Sequence, residues 1–511
     1  MSLPKPIRNI ALLFAFAALS AALVTARSSY AGTTGLFCAF NASFLFLIAL
    51  IFPRPRSYVF GCFAVLLTLG FWFKFLVHRI VDYPFVEPIG DFVDCGDAWD
   101  RVLLWSAFAA LGAAAPRCAH LIVARLRRSE GTVGVTADRE PPAWFVERRV
   151  VVWTATLVML VVVALINIHE SIYRIGIETH TRLPRPLPLI IAWIVSLGGG
   201  MAMATLLHWD RRLTSQSSAA AWSAVILEAI VSSASAISRA LYLLRMAPYL
   251  FATVGQVRTK LSRRLGAILM LLAGFGVSIS LVTAQRMNDY IEATKFSDVE
   301  AEKDTIAIAI AIPQATPQLA PQHAPQPVQP RRIVAVDRAS YLFGYIRQTV
   351  MLTSDRWIGL EGVMAVSAHP DLGPDMLRLA VVDDPRRGYD TLFQQTARSP
   401  YLKLAALDRY TFLTLPGITG ICAYGGSGWY IFGGLSIVTA MMMGIEVFCH
   451  RLTGNPFLTA LVALNLTYVV HQMNFPYLTI VYVAELIMTV LAIELTARTP
   501  WRAAMRQKVV E

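Results

Sequence analysis

Residues 150–168 read VVVWTATLVMLVVVALINI, a stretch without a single charge, and this run decides the fold class. At a rise of 1.5 Å per residue a helix of this length is about 28 Å long, close to the ~30 Å hydrocarbon core of a bilayer. Arg148 and Arg149 precede it; His169 and Glu170 follow. Lipid offers a bare backbone no hydrogen-bond partner, so a crossing segment must be a helix or part of a closed barrel. The apolar residues here run on without the period-two alternation of a barrel strand, which leaves the helix.

Working outward, runs of the same kind recur at about 10–26, 34–52, 57–77, 101–121, 187–207, 218–236, 239–257, 265–285, 428–448, 456–472 and 476–496. About twelve transmembrane helices are therefore predicted, in an all-α polytopic integral membrane protein. Of the 511 residues, 56% are hydrophobic and only 15% charged. Soluble domains run near a quarter charged, so that class is excluded. The first run, behind Lys5 and Arg8 and ending near Tyr30-Ala31-Gly32, has the outline of a cleavable leader. With so many spans downstream it reads as an uncleaved first helix.

The net charge of +12 does not point to nucleic acid. Its arginines sit at the ends of apolar runs, where lipid head groups are the nearer partners. Arg54 and Arg56, the segment from Arg125 to Arg149, Arg211 and Arg212, the cluster from Arg258 to Arg264, Arg451 and the tail from Arg498 all face one side in a single threading. That side is the cytoplasm by the positive-inside rule, with both termini there. The threading requires residues 218–257 to form a helical hairpin, with the serines at 232, 233, 235 and 238 supplying its bend.

Three regions follow. Residues 1–285 hold about nine spans; 286–427 form a long extracytoplasmic loop; 428–511 hold the last spans and a basic tail. Within the loop, 313–330 is a Pro/Gln-rich linker, and 337–412 is helical by pattern, expected as short helices lying on the outer surface over the bundle. The alternating TIAIAIAI before the linker has the period of a strand. Cys95 and Cys422 fall on the same outer side, either paired or as separate thiols. No cysteine or histidine spacing suits a metal.

Five groups of residues carry candidate chemistry. The short outer loop 169–188 holds Arg182 and Arg185, together with Arg174, His169 and His180. Arginine suits phosphate because its planar fork donates two hydrogen bonds at once. Inside the hairpin, Glu228 and Arg245 lie about equally far from the bend, 12–13 Å deep at roughly 1.5 Å per residue, and read as a structural ion pair. Arg239, near the outer end, has no obvious mate and reads as a phosphate ligand. In the long loop, DRWIGLEGVMAVSAHP (355–370) places Arg356, Glu361 and His369 in one stretch, with Arg347 upstream. The loop 81–100 is acidic, with Asp82, Glu87, Asp91, Asp94, Asp97 and Asp100.

In layout, and over residues 218–496 in pattern, the chain resembles the bacterial oligosaccharide repeat-unit polymerases (O-antigen polymerase, Wzy-like). The resemblance rests on the number of spans, the late outer loop, the DRWIGLEGVMAV segment, and the stretch from Leu415, LPGITGICAYGGSGWYIFGGLS, returning into the membrane. It implies a fold similar to the membrane-embedded GT-C-type glycosyltransferases. It further implies inverting, metal-independent transfer of a growing glycan from one undecaprenyl-pyrophosphate carrier to a sugar hydroxyl on another lipid-linked repeat unit, without a cofactor. A chain-length regulator and a flippase are the partners it implies. Arg356, Arg239 and Arg347, with Arg182 or Arg185, would hold the pyrophosphate; Glu361 or His369 would take the hydroxyl proton. An O-antigen ligase, a transferase using polyprenyl-phosphate sugars with the acidic loop catalytic, and a glycan transporter or flippase are the alternative readings.

Overall fold

The computed structural model describes residues 5–83, 85, 87–129, 140–174, 181–214, 219–256, 269, 271–285, 354, 357–383, 391–399 and 415–498. Among them the fold is helical throughout, with no strand. The TIAIAIAI stretch, the Pro/Gln linker and the helical pattern around Tyr341 lie outside the described residues.

The helices in chain order are α1 (Lys5–Ser28), α2 (Thr34–Ala49), α3 (Tyr58–Leu67), α4 (Lys74–Val81), α5 (Gly96–Ser129), α6 (Ala143–Glu147), α7 (Arg149–Glu170), α8 (Leu187–Trp193), α9 (Gly199–Leu213), α10 (Ala219–Ser235) and α11 (Arg239–Gln256). They continue with α12 (Leu271–Gln285), α13 (Leu360–Ser367), α14 (Pro374–Val382), α15 (Leu392–Ala397), α16 (Gly417–Ala423), α17 (Gly428–Thr453), α18 (Pro456–His471) and α19 (Pro476–Arg498). Among the described residues six continuous helical segments are long and apolar enough to cross a membrane: Tyr58–Val81, Gly96–Leu126, Arg149–Glu170, Leu187–Leu213, Gly428–Thr453 and Pro476–Arg498. The chain is thus membrane-embedded, and all-helical among the described residues. Shorter apolar helices stand at most of the other predicted positions, α2, α10, α12 and α18 among them.

Two of the long segments are interrupted by π-helical turns, Thr68–Phe73 between α3 and α4 and Ile194–Gly198 between α8 and α9. A π turn widens the helix and sets backbone carbonyls out of register, which leaves acceptors for outside donors. The second of these turns is served by the buried Arg245, and the first is followed directly by the buried Lys74.

Polar contacts tie the helix ends into two layers. In one, the Tyr30 hydroxyl donates to Asp100, Thr33 donates its backbone N–H to the same carboxylate at 2.8 Å, and Arg79 reaches Asp94 at 3.1 Å while stacking over Trp99. Burial and the Asp100 carboxylate push the Tyr30 hydroxyl well above the ordinary tyrosine value, so it remains a donor. In the other layer, Arg149 pairs with Asp210 at 2.5 Å, and Glu446 caps the start of α3, accepting from Ser57 Oγ at 2.5 Å and the Tyr58 N–H at 2.6 Å. A carboxylate at a helix N-terminus meets its orphan N–H groups and the positive end of its dipole.

The predicted hairpin is present as α10 and α11 packed on each other. Ile237 takes a left-handed conformation (φ 52°) at the bend, while Ser233 Oγ donates to the Ser238 carbonyl at 2.8 Å. Asn167 of α7 donates to the Ser235 carbonyl at 2.9 Å and holds the bend against the end of that helix.

Helix α18 packs against α3, α9, α11 and α17 and is buried along most of its length. Its 16 residues reach only about 24 Å, short of a ~30 Å hydrocarbon core. Above its end lie α13 and α16, every residue of which is buried. Of the helices in 337–412, α14 has only Ala380 buried and keeps to the surface as expected, whereas α13 departs from that expectation and, like α16, is enclosed. Their composition, LEGVMAVS and GITGICA, is apolar and small enough for that burial.

Candidate functional site

The junction of α18 with the inserted helices is where buried charge gathers. Lys74, the first residue after the π turn, is wholly buried and forms an ion pair with Glu361, itself 5% exposed. Lys74 Nζ also donates to the Trp357 carbonyl at 2.9 Å. Glu361 stands in the first turn of α13, where the helix dipole favours a carboxylate. The approach depends on two glycines in contact. A side chain at Gly70 would collide with the Ile358 carbonyl, and one at Gly359 would come within 2.9 Å of the Gly70 carbonyl. Gly359 also has φ 155°, a conformation side chains rarely adopt.

His471, the last residue of α18, is buried beside this junction: its ring lies 3.3 Å from where a Gly70 side chain would begin, and its carbonyl faces Gly417 at 2.8 Å in the same sense. It hydrogen-bonds the backbone of Ile358, and its Nε2 finds no partner among the described residues. A carboxylate, an ammonium and an imidazole are thus set about the same backbone turn, away from water, where each interaction is stronger than in solution.

The second π turn holds the other deep pair. Arg245 is 1% exposed; its Nη1 donates to the Leu197 carbonyl at 3.0 Å and its Nη2 to the Val195 carbonyl at 2.7 Å, while Nε lies 3.8 Å from Glu228 Oε1. Ser232 Oγ donates to the same carboxylate oxygen at 2.9 Å. Gly200 provides the room, since any side chain there would overlap the guanidinium. Glu228 is seven residues from the end of α10, Arg245 six from the start of α11, and Lys74 seven from the end of α4. At 1.5 Å per residue all three lie roughly 9–11 Å below the same end of the bundle. Both buried pairs therefore belong to one layer.

The other sequence candidates are not gathered there. Arg356 and Arg347 lie outside the described residues. Arg239 is exposed and donates from Nη2 to the neutral Thr283 Oγ1 of α12 at 3.0 Å. Arg182 and Arg185 are exposed in the segment before α8. His369 follows the far end of α13, eight residues and about 12 Å along the helix direction from Glu361, so the two do not form one acid–base pair. Its Nδ1 is engaged by the backbone of Asp371 at 2.9 and 3.1 Å, and its ring meets Tyr424 edge-on.

In the acidic loop, Asp94 is bound by Arg79 and by the Trp99 indole N–H at 2.5 Å, Asp91 by Arg398 at 2.7 Å, and Asp100 by Tyr30 and Thr33. These carboxylates join elements to one another. Cys95 is exposed and Cys422 buried, and both are free thiols. Among the described residues no group of three metal-ligating side chains occurs.

Lys74 and His471 are the site residues that reading the sequence missed. The signal for Lys74 was present: a cation two turns inside the 24-residue apolar helix Tyr58–Val81 costs about 2.5–3.5 kcal/mol unless it has a partner. His471 gave no comparable sign, standing at the end of an apolar helix where a histidine is unremarkable. The chain matches no family model, no curated protein and no solved structure.

Proposed function

We propose that the protein is a lipid-linked glycan polymerase of the bacterial inner membrane, transferring a growing oligosaccharide from its undecaprenyl-pyrophosphate carrier to a hydroxyl of another lipid-linked repeat unit. The observation that carries this reading is the position of Glu361: the loop segment singled out for its chemistry is inserted into the bundle, with its carboxylate paired to Lys74. In this reading the chain spans the membrane about twelve times. The end bearing Arg54, Arg117, Arg125, Arg149 and Arg211 faces the cytoplasm, both termini lie there, and the layer of buried pairs is near the periplasmic face.

The reaction is a displacement at the anomeric carbon. The acceptor hydroxyl oxygen forms the new bond, the bond to the pyrophosphate oxygen breaks with its electron pair, and the hydroxyl proton passes to Glu361. Lys74 holds that carboxylate in place, and His471 closes the junction from the end of α18. Arg356, Arg347, Arg239, Arg182 and Arg185 are the candidates for holding the pyrophosphate as charge develops on it. The test is glycan length in cells carrying Glu361→Gln at normal protein level. Single repeat units are expected; wild-type polymer would remove Glu361 from the chemistry.

A transport reading is favoured by one observation, two π-interrupted segments, one carrying the buried Lys74 and the other receiving the buried Arg245 from α11. Interrupted helices with buried charge are features of transporters. Purified protein in vesicles separates the two readings: movement of lipid-linked glycan between leaflets without chain extension supports transport, and extension without movement supports polymerisation.

A further inference from the structure

Between the α2–α3 turn and the last turns of α5, at the basic end of the bundle, a cavity of about 290 Å³ is lined by Pro53, Arg54, Leu121, Ile122, Ala124 and Arg125. It is at the opposite end from the layer of buried ion pairs. One of its walls is fixed by a buried cation. Arg117, fully buried, donates from Nη2 to the Pro53 carbonyl at 2.8 Å and the Pro55 carbonyl at 2.7 Å, and from Nε to the Leu50 carbonyl at 3.3 Å. Arg54 stands between two of those anchored residues and is presented from backbone that cannot drift. Arg54 and Arg125 are both exposed, and neither has an ion pair among the described residues.

Depth identifies the occupant. The apolar segment Gly96–Leu126 has 31 residues and is about 46 Å long, against ~30 Å of hydrocarbon and ~40–45 Å with the head groups. Its Arg125 end therefore emerges at head-group level. Directly below, Ile122 is 59% exposed, and Leu126 on the same turns is 63% exposed, an apolar surface continuous with the cavity. Two guanidinium groups at the mouth and an apolar wall leading into the bilayer match an acidic head group with its acyl chains attached.

We propose that this cavity binds the phosphodiester head group of an anionic phospholipid, with Arg54 and Arg125 on the phosphate and the acyl chains along Ile122. Planar guanidinium groups take phosphate oxygens in pairs, and basic pockets between helices on the cytoplasmic side are suited to acidic lipids. The site is independent of the transferase reading and requires only that the bundle lie in a membrane.

The full chain, purified in detergent, is titrated with phosphatidylglycerol, phosphatidylcholine or inorganic phosphate while thermal unfolding is followed. Phosphatidylglycerol is expected to raise the unfolding temperature, and phosphatidylcholine to have little effect. Arg54→Gln and Arg125→Gln should each weaken apparent phosphatidylglycerol binding about fivefold, on the scale of one basic residue at an acidic surface. Arg56→Gln, two positions along but outside the cavity lining, should leave it unchanged. Three outcomes overturn the proposal: equal stabilisation by the two lipids, an Arg56→Gln loss as large as that of Arg54→Gln, or full reproduction of the effect by inorganic phosphate, which would make the occupant a soluble anion.

Discussion

Lys74 and Glu361, from a transmembrane segment and from the inserted loop, meet as an ion pair with almost no exposure to solvent. Removing one partner of such a pair leaves an uncompensated charge, at a cost of about 3–5 kcal/mol, whereas replacing both by neutral groups is often tolerated. Lys74→Met and Glu361→Gln are expected each to lower thermal stability in detergent sharply. The double variant should recover most of that stability. If the pair also serves chemistry, the double variant remains without polymer in cells despite being folded, and glycan length measured beside unfolding temperature separates the two roles.

The glycine contact gives a second prediction. Gly70→Ala places a methyl group against the Ile358 carbonyl, so the loop must withdraw from the α3–α4 segment and carry Glu361 with it. Polymer formation should fall at least tenfold with protein level retained. Gly433→Ala and Gly444→Ala, where nothing lies within 4 Å, should leave both polymer and protein level unchanged.

At the other π turn, Gly200→Val would overlap the Arg245 guanidinium, which is already committed to the Leu197 and Val195 carbonyls. Overpacking costs typically about 1–3 kcal/mol, and displacing a buried cation from its acceptors adds to it. The expected result is loss of membrane-inserted protein, read by blotting, with no substitution at Glu228 able to rescue it.

Orientation is testable through Cys95. It is exposed at the end of the bundle proposed to face the periplasm, while Cys422 is buried. A variant keeping only Cys95 should react with a membrane-impermeant maleimide added to cells whose outer membrane has been made permeable. A variant keeping only Cys422 should react only after unfolding. Protection of Cys95 until the inner membrane is breached would reverse the assigned orientation.

Much of this architecture is legible from hydropathy because the bilayer imposes a single length scale on every span. The Glu228–Arg245 neighbourhood is also legible: both residues belong to one hairpin, and counting from its bend places them at one depth. Lys74 and Glu361 are different. They belong to distant parts of the chain, and no local spacing relates them. The π turns are equally silent, since TLGFWF and IVSLG carry no pattern that separates them from the α-helix on either side. The burial of α13 and α16 follows from the shortness of α18. Hydropathy placed a span at 456–472, but a composition average does not tell a helix that crosses from one that stops early.

That early stop bears directly on the helix beyond it. α18 reaches about 24 Å, and the start of α16 abuts its last residue, the His471 carbonyl lying 2.8 Å from where a Gly417 side chain would begin. One extra helical turn inserted before His471 would carry that end about 5.4 Å further, into the space α16 holds, so lengthening α18 would dislodge α16 and the Lys74–Glu361 junction together.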